Sequence, residues 1–171
     1  MHGPLATHLE QLLNYHLWAY ERLLEAVAPL DEETYRAPRG LFFSSLHGTF
    51  NHLALVDRLW LGRIRKEPWH FERLDSEVAP DREALAAFLR EGVTAWQSWL
   101  SEQSDRSLGT LLEYRNMAGQ EQRQSLANVV QHLVNHGTHH RGQMSAALTA
   151  LGQPAPMLDY IYFLPERQDI R

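Results

Sequence analysis

The chain contains no cysteine. That excludes disulfides, thiolate metal ligands and a cysteine nucleophile, and leaves the compartment open. No apolar run approaches the roughly 18 residues that a membrane span needs. The opening residues do not read as a signal peptide, because Glu10, Gln11 and Asn14 interrupt the apolar stretch and no basic segment precedes it. Basic residues are outnumbered, 16 Lys and Arg against 21 Asp and Glu, for a net charge of −5. With no basic stripe, nucleic acid is a poor main partner. Several catalytic signatures are also missing: a glycine-rich phosphate loop, an HExxH helix and a GxSxG elbow. Di-iron helical proteins need Glu-x-x-His on each of two helices. The one such spacing here, Glu67 to His70, has Pro68 inside it. These absences leave a soluble, cytoplasmic protein with neither a membrane nor a nucleic-acid partner as the expectation.

The 171 residues suit one domain, residues 1–171, large enough to bury a core without staples. Four long helical segments dominate. The first runs from Leu5 to Ala28 and stops before Pro29. The second opens at Ser44 or Ser45, both good N-cap types, and runs to Lys66 before Pro68. The third follows Pro80, with Asp81 as cap, and reaches Gln103. Its Leu85, Phe88, Leu89, Val93, Trp96 and Leu100 recur at helical spacing. The fourth spans Ser125 to Gly152, just before Pro154. Between the third and fourth, LEYRNMAGQEQRQS reads as a short hairpin or an irregular loop. The tail MLDYIYFLPER reads as an extended strap packed on the helices or as part of a subunit contact. The fold class is all-α, a four-helix bundle with an extended C-terminal tail.

Four of the ten histidines fall in QHLVNHGTHHRGQ on the last helix. With about 100° per residue and Leu133 on the apolar seam as zero, His140 lies at about −20° and His136 at about −60°. His132 and His139 fall on the flank, near −100° and −120°. His136 and His140 therefore stack one turn apart and face inward, a spacing that can grip one metal ion. Gln143, at about −80°, continues their line. On the second helix, His52 and His47 flank Leu53 on opposite sides, at about −100° and +120°. Periodicity favours His52 only slightly, because Val56 extends the apolar face beside it. Asp57 stands near the seam, where it would orient an imidazole, pair with Arg141, or face solvent. Trp60 is a candidate pocket wall. Gly137 lies on the seam, where a neighbouring helix can approach closely. Gly142 points away from it. His2, His8, His16 and His70 have no evident metal role.

SSLHGTFNHLALVDRLWLGR on one helix, followed by LANVVQHLVNHGTHHRGQM on another, resembles the DinB-like family of damage-inducible bacterial proteins. NYHLWAYERLLEAV and LDYIYFLPER extend the resemblance to nearly the whole chain. It implies a four-helix bundle, often a homodimer, with one divalent ion per chain held by three histidines. Those positions fall on His52, His136 and His140, which settles the choice left open on the second helix. Zinc or nickel is the first expectation for the ion, with iron and copper as alternatives. The same structural class includes bacillithiol transferases and mycothiol-dependent maleylpyruvate isomerases. The resemblance thus implies a metal-dependent transferase or hydrolase acting on a small molecule, such as a low-molecular-weight thiol. The alternative is a non-catalytic stress protein whose ion locks the helices. Either way, imidazoles of ordinary basicity predict metal affinity falling below about pH 6.5.

Overall fold

A computed structural model describes residues 3–67 and 69–168, the last four by backbone alone. His2 and Pro68, the expected stop of the second helix, lie outside the described residues. The chain order is α1 (Pro4–Val27), α2 (Glu32–Arg36), α3 (Leu46–Arg65), α4 (Arg82–Ser101), α5 (Asp105–Leu108), β1 (Leu111–Arg115), β2 (Glu121–Ser125), α6 (Leu126–Ala150) and α7 (Tyr160–Gln168). The protein is mostly α. Its four long helices pack so that α1 and α3 each contact both α4 and α6. No helix among the described residues is long and apolar enough to cross a membrane.

The helix starts follow local chemistry. The side chains of Ser45, Asp81 and Ser125 accept hydrogen bonds from the backbone N–H of Gly48, Ala84 and Asn128 at 3.0, 2.7 and 3.2 Å. Each such cap contributes about 1 kcal/mol. Lys66 ends α3 in the left-handed conformation, at φ 58°.

The segment before α6 folds as an antiparallel hairpin, with Leu111 opposite Ser125 and Arg115 opposite Glu121. Its turn is closed by the Asn116 side chain, whose Oδ1 accepts from the N–H of both Ala118 and Gln120 at 3.0 Å. Gly119 supplies the positive φ of 76° that this turn requires. The tail differs from expectation. Residues 153–159 carry no regular structure, but the chain then turns into α7 rather than staying extended. Tyr160, Phe163 and Leu164 stand three and four apart, the spacing of one helical face. Tyr160 and Phe163 meet Tyr15 edge-on, and the Tyr15 hydroxyl donates to the Leu158 carbonyl at 2.7 Å. So the tail is packed, as expected, but as a helix.

Two apolar clusters fill the interior. One gathers Leu9, Leu13, Trp96, Leu100, Val130 and Leu133. The other gathers Tyr20, Leu23, Phe50, Leu53, Leu89 and Met144. A fully buried polar chain tied to α1, α3 and α6 adjoins them. Arg141 Nη1 donates to His16 Nδ1 at 2.8 Å. An arginine can only donate, so His16 carries its proton on Nε2, and that N–H points to Asp57 Oδ1 at 3.4 Å. The Tyr20 hydroxyl donates to the other Asp57 oxygen at 3.2 Å. Asp57 thus orients an imidazole, but that of His16, and it reaches Arg141 through the same ring. Burial is the main force holding His16 below its ordinary basicity. The neutral ring lets a buried cation and a buried anion neutralise each other indirectly, which keeps the arrangement from being prohibitively costly.

Gly137 makes room for this chain. A Cβ there would overlap the His16 ring and come 2.5 Å from Arg141 Nη1. Gly142, five residues further along α6 and exposed, would meet nothing within 4 Å. Alanine is favoured over glycine in a helix by about 1 kcal/mol, so the two sites separate propensity from packing. Gly137→Ala is expected to lower unfolding free energy by about 1–3 kcal/mol through overpacking. Gly142→Ala should raise it by up to about 1 kcal/mol. Urea denaturation of both variants measures this; a stabilised Gly137→Ala protein would contradict the crowding at His16.

Candidate metal centre

α3 supplies His52, and α6 supplies His136 and His140 one turn apart. One ring nitrogen from each of these three residues lies within 4.8 Å of the other two. His136 Nε2 is 3.4 Å from His52 Nε2 and 3.2 Å from His140 Nε2. His52 and His140 are buried, and His136 is half-buried.

For His52 and His140, the partners at the outer nitrogen fix which nitrogen faces inward with a lone pair. His52 Nδ1 lies 2.8 Å from the Leu74 carbonyl oxygen, an acceptor, so Nδ1 carries the proton and Nε2 presents a lone pair. His140 Nδ1 donates to Gln143 Oε1 at 2.9 Å, which leaves its Nε2 bare as well. The Gln143 amide then donates to His139 Nε2 at 3.2 Å. His136 Nδ1 is buried with no partner among the described residues. A proton on His136 Nε2 could satisfy one facing lone pair but not both. A single cation satisfies all three. Two nitrogens bound to one zinc-like ion at about 2.0–2.1 Å in tetrahedral geometry stand about 3.3–3.4 Å apart, close to both separations observed here. The donor set and its spacing therefore fit a divalent ion, with coordination positions left for other ligands.

The site disfavours protons. Burial, with the neighbouring His140 and other imidazoles adding to it, pushes His136 down to about 3. Burial pushes His52 down to about 4, against the opposing pull of the Leu74 carbonyl. His140 is lowered by burial too. Neutral imidazole is the ligand form.

The flanking residues sort themselves by contact. His47, on the far side of α3, is buried against Tyr35, and its Nε2 lies 2.7 Å from Glu77 Oε1, to which it can donate. His132 and His139 are exposed. His132 lies 5.7 Å ring to ring from His136 and 5.3 Å from Trp60. Trp60 and His132 line a cleft with Tyr114 and several amides. His16 belongs to the buried chain at Asp57, and His8 and His70 are exposed. Two contributors had no signal in the sequence. Phe43 stacks on His52 with ring centroids 3.6 Å apart and planes at 16°. Leu74 acts through its carbonyl, which no residue type announces.

A mostly helical protein whose second and fourth long helices bring three imidazole nitrogens together is, in class, a helical protein with a candidate three-histidine metal centre. The chain matches the DinB family over residues 5–169. It belongs to the DinB family. It is similar to Protein DinB of Bacillus subtilis (strain 168), 26% identical over 168 residues covering 90% of this chain and 92% of that protein. It also resembles the crystal structure of a DinB-like protein from Bacillus cereus ATCC 10987, with a TM-score of 0.64 and 22% identity. That match covers 84% of this chain and 91% of the other, and supports the fold.

The lowered imidazoles have a signed consequence for stability. Below about pH 6.5 the unfolded chain takes up protons that the native His52 and His136, at about 4 and about 3, still refuse. Stability should therefore be fully present above about pH 6.5 and fall steadily as pH drops toward 4. Urea midpoints of metal-free protein at pH 7.5 and pH 5 check this; a higher midpoint at pH 5 would contradict it. Native imidazoles that stay neutral also move proton competition at the folded site below the pH 6.5 expected from ordinary histidine.

Proposed function

We propose that the protein is a metal-dependent enzyme of the transferase or hydrolase type, acting on a small molecule and activating a thiol or water at the three-histidine centre. The observation that carries this reading is the convergence of three imidazole Nε2 atoms, those of His52 and His140 proton-free on the inward side. Zinc or nickel is the ion we assign, one per chain, with iron and copper as alternatives. When bound, such an ion supplies Lewis acidity that lowers the pKa of a coordinated water or thiol toward neutral.

The chain's own residues do the rest. Leu74 and Gln143 hold His52 and His140 in the ligand tautomer. Phe43 lies against both of those rings and shields that side from water. A cleft of about 660 Å³ beside Phe43 is lined by Phe42, Leu74 and Met117 as well. Its volume is that of a small-molecule site, and Phe42 and Met117 give it exposed apolar surface. A low-molecular-weight thiol as co-substrate and a homodimeric assembly follow from the family resemblance and form part of the proposal.

A second reading has its own supporting observation. The three ligands join α3 to α6, so an ion there would cross-link two of the four long helices without any turnover. The readings part on one experiment. Metal-loaded wild type and His140→Ala are assayed for thiol addition and hydrolysis against a broad panel of small electrophiles and esters. Turnover lost by at least about 100-fold in His140→Ala, the top of the range for losing only an outer partner of a ligand, supports the enzyme. A fully loaded protein with no turnover on any substrate, whose melting temperature collapses on chelation, supports the cross-link instead.

A further inference from the structure

We infer that Phe43 is a positioning residue for the three-histidine site, delivered onto His52 by a backbone device built into the start of α3. The inference rests on the metal reading of that site.

The device has two parts. Ser44, immediately before the N-cap, sits at φ 69°, in the left-handed region that a serine seldom adopts. Its backbone is held there on both sides: Ser44 N–H donates to the Leu41 carbonyl at 2.9 Å, and its own carbonyl accepts from Arg39 N–H at 2.8 Å. This reversal turns residue 43 back over the helix that follows. The second part is Gly48. A Cβ at that position would overlap the Phe43 carbonyl oxygen, so the missing side chain is what lets the loop lie directly on α3. His52 is one turn beyond Gly48 on the same face. The backbone of Phe43 therefore rests on Gly48 while its ring rests on His52.

The ring contact is close and nearly parallel, 3.6 Å between centroids at 16°, and Phe43 also meets His140 edge-on at 5.4 Å. Phe43 is itself only 9% exposed. The hydrogen bond from His52 Nδ1 to Leu74 anchors one edge of the imidazole. It does not fix the plane, and the stacked phenyl does. Coordination draws electron density out of an imidazole and makes its face more positive. The negative face of a phenyl ring attracts such a face more strongly than a neutral one. Phe43 thus favours the liganded state over the free state, beyond simply filling space.

The test uses the full chain, stripped of metal and titrated with cobalt(II) alone, as wild type, Phe43→Leu and Phe43→Tyr. Leucine keeps apolar bulk and removes the π face; tyrosine keeps the face. Phe43→Leu should bind about tenfold more weakly, the usual effect of losing an outer partner of a ligand, with an altered cobalt absorption band. Phe43→Tyr should restore both affinity and band. Far-UV circular dichroism confirms folding, and Phe43→Met repeats the test if leucine does not fold. A folded Phe43→Leu protein with wild-type affinity and spectrum overturns the inference. A wild type that binds no cobalt sinks the metal reading instead. The His52 ring then decides the role of Phe43 through its ¹⁵N resonances: one tautomer in wild type and averaging in Phe43→Leu supports it, and no change overturns it.

Discussion

The inward lone pairs of His52 and His140 both face His136, whose single Nε2 proton could satisfy only one of them, and most of this structure serves to hold the three rings there. The hydrogen bonds at the outer nitrogens of His52 and His140 run to a carbonyl and an amide oxygen, both acceptors. Those partners deny each ring its inward proton. Burial then denies the site protons from solvent. The cost of such an arrangement in a metal-free protein is real, since buried polar groups without partners destabilise by about 1–3 kcal/mol each. A cation removes that cost at all three rings together.

The helices must be pinned to keep the three rings together, because the histidines come from α3 and α6. Two features on α6 do the pinning. Gly137, the residue after His136, lets His16 of α1 press against the α6 backbone. Arg141, the residue after His140, reaches through His16 to Asp57 on α3, five residues from His52. The polar chain and the three-histidine cluster thus share both helices and sit on adjoining residues. On the outer side, the loop before α3 and the segment containing Leu74 close over His52. Packing of long helices, a buried charge relay and two loop contacts converge on one ring.

Much of this was legible from residues alone. The long helices end near their expected positions because serine, aspartate, proline and glycine punctuate them by local chemistry. His136 and His140 could be placed by angle because α6 has a polar side and an apolar side. His52 and His47 could not, and the reason is physical. Residues 46–57 of α3 are buried almost without interruption, since Tyr35 of α2 and residues 77–79 cover His47 and Asn51 while Phe43 and Leu74 cover His52. A helix buried all round carries no periodic signal, so only the family resemblance separated the two histidines. Phe43 stayed hidden for another reason. Its role depends on a left-handed serine and on space left by a glycine, and neither is a pattern of hydrophobicity. The tail is helical rather than extended because Tyr160, Phe163 and Leu164 carry helical spacing, a signal masked by the seven residues without regular structure that precede α7.

The account rests on the three imidazoles sharing one ion. The most direct measurement is native mass spectrometry of protein purified without a histidine tag, beside the His52→Ala and His136→Ala variants. One divalent ion per chain in the wild type, absent from both variants, is the predicted result. A folded wild type that carries no ion, and takes up none when zinc or nickel is supplied near neutral pH, would contradict it.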